Sequence, residues 1–305
     1  MDKRIILFAA GALMMAACSS NETEAPANTG EIRLYTEVAP MQTRAASVAT
    51  DLQDTQFAAG TDISVMVTDN YNLTTDVTMT YPPQTYTADG TGGLMTSVKQ
   101  FYPASGNSVD ICAYHPWDAL LTEPFSVKAD QRSTANYRAS DLMWAKLSNI
   151  TKDTPASNRV LSFNHLFSKV IVKLIKGNGV SQDEINQAKI TLGNNDLVMS
   201  GTFDTNIGSF SPETPGTGNI LIATDAGTSE HAVVVVPQNM SGKPLTVELG
   251  GGKKSFEIPA ATIFEAGMKY TYTITVNKAE LVVTSTIEDW TTPAGWVDPT
   301  PNIKI

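Results

Sequence analysis

Along residues 31–38 polar and apolar side chains alternate, with Ile32, Leu34, Thr36 and Val38 on one face and charges mostly on the other. A period of two is that of a strand with one face in a core. Strand-like runs recur at 63–68, 109–114, 160–175, 190–192, 231–236, 245–249, 270–276 and 281–286, many of them rich in Val, Ile, Thr and Tyr. Those residue types suit a pleated, partly buried surface. Between the runs stand Tyr81-Pro82-Pro83, Asp89-Gly90-Thr91-Gly92-Gly93, Lys176-Gly177-Asn178-Gly179 and Gly250-Gly251-Gly252, which are turn chemistry. Short strands with frequent turns predict a sandwich or barrel. One helical turn is predicted after Ser181, where Glu184 completes a capping box and Ile185 and Ala188 follow on one face.

The polar, Pro-containing stretch 152–158 divides two strand-rich halves, which predicts an N-terminal sandwich over 45–157 and a C-terminal one with a tail over 158–305. Two cores are expected because a single core stops growing near about 250 residues. With 42% hydrophobic and 17% charged residues the chain is globular, so general disorder is excluded. The net charge is -10, and 21 Lys plus Arg stand singly among 31 Asp plus Glu. No basic face is left to neutralise phosphates, so nucleic acid is excluded as a partner.

The amino terminus carries an export signal. Lys3 and Arg4 precede an apolar run over 5–15, too short for a permanent span, and Cys18 follows Met15-Ala16-Ala17. This layout matches the lipobox of bacterial lipoproteins, with Met15 in place of the usual Leu. It predicts a signal peptide over 1–17, acylation of Cys18, and attachment to outer-membrane lipid. The polar residues after Cys18 read as a tether, and 18–44 as a lipidated propeptide that includes the first strand. Cys112 is then the one thiol left, so no internal disulfide is available, and its strand-like setting marks a buried apolar position.

Reactive chemistry is sparse. His115, His165 and His231 are not paired at a spacing of four, no Cys cluster offers a metal site, and no nucleophile elbow or phosphate loop occurs. Asp204-Thr205-Asn206-Ile207-Gly208 resembles a calcium loop only faintly, because its Gly is one place early and the last ligand is missing, so a tight hairpin is expected. Trp117, Trp144, Trp290 and Trp296 would suit a sugar groove, although large aromatics in β proteins more often fill cores and interfaces. No catalytic, cofactor-binding or metal residue is assigned, and the chain is not read as an enzyme.

Four stretches together resemble the Mfa-like fimbrillins, a family of type V pilins. They are Phe101-Tyr102-Pro103 running on to Cys112-Ala113-Tyr114-His115-Pro116; Asp141-Leu142-Met143-Trp144-Ala145; Val160-Leu161-Ser162-Phe163-Asn164-His165-Leu166-Phe167-Ser168-Lys169-Val170; and Phe264-Glu265-Ala266-Gly267-Met268-Lys269-Tyr270 with Ile287-Glu288-Asp289-Trp290. The resemblance implies an all-β fold of two tandem transthyretin-like β-sandwiches, lipoprotein export, and a structural or adhesive role in surface fimbriae. His165 and Lys169 then read as structural strand positions. It also implies maturation by an arginine-specific protease, here between Arg44 and Ala45 in an exposed polar segment, and assembly by strand exchange with other fimbrial subunits or with further copies of the chain. The candidate donor strand is Ile303, Lys304 and Ile305. The alternative is a lipid-anchored surface protein that binds a glycan or host protein and never polymerises.

Overall fold

The computed structural model describes residues 30–38, 57–69, 79–104, 106–119, 124–222, 230–250, 252–289 and 303–304. The chain first forms β1 (Tyr35–Val38), β2 (Asp62–Asp69), β3 (Met79–Ala88), β4 (Leu94–Met95), β5 (Val109–His115), β6 (Phe125–Ser126), α1 (Thr134–Arg138), β7 (Met143–Ile150) and β8 (Val160–His165). There follow β9 (Ser168–Lys176), α2 (Gln182–Asn186), β10 (Lys189–Leu197), β11 (Ser200–Asp204), β12 (Ser209–Pro212) and β13 (Gly218–Ile222). The remainder comprises β14 (Glu230–Val235), β15 (Gln238–Asn239), β16 (Pro244–Leu249), β17 (Gly252–Glu257), β18 (Ile263–Phe264), β19 (Met268–Val276), β20 (Leu281–Asp289) and β21 (Ile303–Lys304). The fold is all-β, and the predicted helical turn is α2, with both reciprocal bonds of the Ser181–Glu184 capping box formed.

Two cores organise the strands. A seven-stranded sheet in the order β1, β8, β7, β5, β2, β3, β4 wraps the first, whose centre holds Ile63, Val65, Ile111, Ala113, Leu161 and Phe163, all fully buried. The second lies between a five-stranded sheet, β14, β9, β19, β20, β21, and a four-stranded sheet, β13, β10, β16, β17. Strand β9 runs parallel to β19 in its middle, and Val170, Ile171, Val172 and Leu174 are all buried. Burial on both faces is why this stretch reads as a continuous apolar run.

The continuous reading of 160–175 breaks at Leu166 and Phe167. Before them β8 pairs with β1 and β7 in the first sheet; after them β9 belongs to the second. A division between 157 and 158 therefore takes β8 away from the sheet that it completes. The halves also interlock, since β6, from the first, pairs with β11 and so joins β12 in a three-stranded sheet. Aromatic rings fill that seam: Tyr114 meets Phe203 edge-on at 5.7 Å, and Phe167 meets Phe210 at 4.8 Å. Trp144 joins them, its Nε1–H donating to the Thr205 carbonyl at 2.7 Å. The outer edge of β14 is bonded at Val234 by a side chain. Gln131, 1% exposed, donates from Nε2 to the Val234 carbonyl and accepts the Val234 N–H on Oε1, both at 2.8 Å.

Candidate functional site

Among the described residues, 30–38 form the extended segment that holds the ends of the first sheet together. On one side Tyr35, Thr36, Glu37 and Val38 run parallel to Val160, Leu161, Ser162 and Phe163. On the other side the Ile32 N–H donates to the Gln100 carbonyl at 2.8 Å, the Leu94 N–H to Leu34 O at 3.1 Å, and the Thr36 N–H to Gly92 O at 2.7 Å. Tyr35 also forms an antiparallel bridge with Gly93. Ile32, Leu34, Thr36 and Val38 point inward, at 3%, 2%, 4% and 7% exposure, as their alternation predicts. Without this segment, backbone groups of β8 and of 92–100 would stand unpaired above an apolar floor, which is a template for another strand.

Two acidic groups steady the rim. Burial pushes the Glu31 carboxyl up, but hydrogen bonds from Arg33 and Lys99, each at 3.3 Å, outweigh it and hold the pKa below its ordinary value. Asp89 accepts the Thr91 N–H at 2.7 Å, the Thr91 hydroxyl at 2.9 Å and the Gly93 N–H at 2.9 Å, and these bonds lower its pKa. That turn carries Gly92 to the Thr36 amide. A β-carbon on Gly93 would lie 2.3 Å from Asp89 Oδ2, so a larger residue there would have to displace the carboxylate that holds the turn. Beside it, the Ser162 hydroxyl donates to the Glu37 carboxylate across the β1–β8 pair.

Of the residues singled out in sequence, Cys18, Arg44, Ala45, Ile305, Trp290 and Trp296 lie outside the described residues. Ile303 and Lys304 belong to a different sheet from segment 30–38; they pair antiparallel with Ser285 and Thr284 at the edge of β20. Cys112 is buried, and burial pushes its thiol pKa up, away from a reactive thiolate. His165 closes β8 with Nδ1 2.8 Å from Asp141 Oδ1, both side chains buried where the chain leaves the first sheet. Lys169 is fully buried in β9. The 204–208 stretch is the turn between β11 and β12, with Asp204 Oδ1 taken by the Asn206 N–H at 2.9 Å. Among the described residues no group of three His, Cys, Asp or Glu side chains is placed to hold a metal. What the sequence did not single out is the far wall of the groove: Gly92 reads there only as a turn residue, and Leu94 and Gln100 carry no signal of their own.

An all-β protein of two cores, with a closing strand ahead of its first core, is the class that fold and site define. A fimbrillin-like family profile matches residues 43–290, and the chain belongs to that family. Its members are fimbrial structural and adhesion subunits, not enzymes. A Bacteroides uniformis protein proposed as fimbrium subunit Fim1C is 27% identical over 198 residues, which span 63% of this chain and 64% of that protein's length. Crystal structures of two proposed cell adhesion proteins share the fold. One, from Bacteroides uniformis, has a TM-score of 0.66 at 21% identity, covering 86% of this chain and 98% of its own. The other, from Bacteroides ovatus, has a TM-score of 0.66 at 20% identity, with the same coverage of 86% and 98%.

Proposed function

We propose that the chain is a structural or adhesive subunit of surface fimbriae, exported as an outer-membrane lipoprotein through Cys18 and assembled by strand exchange after cleavage between Arg44 and Ala45. The observation that carries this reading is segment 30–38, bonded on both flanks and buried on one face, yet placed ahead of Arg44 in sequence. Cleavage at Arg44 would cut its covalent tie to the body, and a strand from another subunit would then supply the missing hydrogen bonds and side chains. Arg33 lies within the bonded segment itself and makes a poorer protease site. Head-to-tail exchange of this kind does not close on itself, so its product is an open filament. The chain's partners are then other fimbrial subunits, an arginine-specific protease and, for an adhesive subunit, a host surface ligand.

One observation favours the second reading, a surface binding protein that does not polymerise. Ile303 and Lys304 already pair with β20 of their own chain, and Pro293, Pro299 and Pro301 in the tail lack N–H donors. N-terminal sequencing of surface-extracted protein tests the cut, with a start at Ala45 expected and any other start contradicting that site. Deleting 302–305 and then treating with an arginine-specific protease tests the donor. Loss of the oligomer ladder is expected, and an unchanged ladder moves the chain to the non-polymerising reading.

A further inference from the structure

Thr36 is the one polar side chain on the inward face of segment 30–38. It is 4% exposed, and its Oγ1 has no hydrogen-bond partner among the described residues. Its inward companions Ile32, Leu34 and Val38 pack in the first core with Leu161 and Phe163. A hydroxyl buried in that setting loses its water and gains nothing in return, which disfavours the strand that carries it. The opposite wall repeats the mismatch. Gln100, fully buried, accepts the Tyr86 hydroxyl on Oε1 at 2.8 Å, while its Nε2 has no partner among the described residues, and neither has the buried Tyr102 hydroxyl. Both residues hold the segment through their backbones, Gln100 O to the Ile32 N–H and the Tyr102 N–H to Gly30 O, each at 2.8 Å. The middle of the same sheet has no such seam: Val65, Val67, Ile111 and Ala113 are apolar and fully buried. On its other flank the segment is held by only four parallel pairs with β8, and parallel pairing is slightly weaker per residue than antiparallel.

We propose that Thr36 makes segment 30–38 a replaceable occupant of its groove, and that the strand which takes its place carries an apolar side chain at that register. The proposal rests on the strand-exchange reading above and adds the chemistry of the incoming strand. A segment bound as tightly as its shape allows would stay after its covalent tie is cut. A segment bearing one unpaired buried hydroxyl yields to a strand of the same shape without it.

Thr36→Val removes the hydroxyl and keeps the shape, whereas Thr36→Ser keeps the hydroxyl and loses a methyl. In the uncut full chain the denaturant midpoint is expected to rise in T36V and fall in T36S; an unchanged or lowered midpoint in T36V overturns the proposal. In the chain cut between Arg44 and Ala45, labelled peptides of residues 30–38 are offered with either Thr or Val at position 36. The Val peptide is expected to leave about five- to tenfold more slowly, the factor that one unsatisfied buried hydroxyl implies. Equal release rates overturn the proposal. If neither peptide enters and the native fragment never leaves, the exchange reading itself has failed and the proposal falls with it. An intact exchange with an insensitive Thr36 is a different failure, and the two measurements tell them apart.

Discussion

Trp144 lies across the backbone of Gly208, where a β-carbon would come within 2.3 Å of the indole ring and where φ is +65°. Gly208→Ala is therefore expected to destabilise the chain by about 1–3 kcal/mol through overpacking, with strain from the left-handed backbone added; thermal denaturation of the whole chain checks this. Trp144→Phe keeps an aromatic ring but leaves the Thr205 carbonyl without the Nε1–H, and is expected to cost about 1–2 kcal/mol by the same measurement. From sequence Trp144 was open between a sugar groove and a packing role, because composition does not say what faces a ring. The structure gives it to the seam between the cores. Cys112 was easier to read, since its apolar neighbours already marked a buried position, and it is buried.

At the scale of the element, the turn made by Asp89 has a defined response to acid. Its pKa is lowered on folding by bonds from Thr91 and Gly93, so its contribution is full above about pH 4, the ordinary carboxylate value, and is lost as pH falls through the lower folded value. Asp89→Asn should lower the denaturant midpoint at neutral pH and flatten its dependence between about pH 5 and 3; an unchanged pH profile would contradict this. Where alternation is clean, elements are legible: the inward set of 32–38 matches the structure, and the run 270–276 lies within β19, which starts two residues earlier at Met268. Tyr81-Pro82-Pro83 carries the chemistry of a turn. It lies inside β3, where the pairing with β2 shifts register between Val65 and Val67. An irregularity of that kind accommodates residues without an N–H, and nothing local distinguishes it from a turn. The 160–175 run looks continuous in sequence because sheet membership depends on partners far away in the chain.

For the whole molecule, the shared sheet of β6, β11 and β12 couples the halves. We expect a single cooperative transition in calorimetry of the chain, and two resolved transitions would show that 45–157 and 158–305 fold apart. The all-β class and the existence of two cores were legible from turn spacing and length. The interlock was not, since β6 is two residues long and its partners, Ser200 and Gly201, stand more than seventy positions away. The groove was half legible: its strand was visible, but its far wall was hidden in residues that give no sign of a partner. The Gln131 amide bound to Val234 has a consequence for growth. A sheet with two bare margins would be bifunctional, able to knit into ribbons and precipitate. With the Val234 amide and carbonyl taken by a primary amide from its own chain, and Thr284 and Ser285 at the β20 side paired with β21, both margins of the five-stranded sheet are interrupted, and a strand laid on either would meet a position already filled.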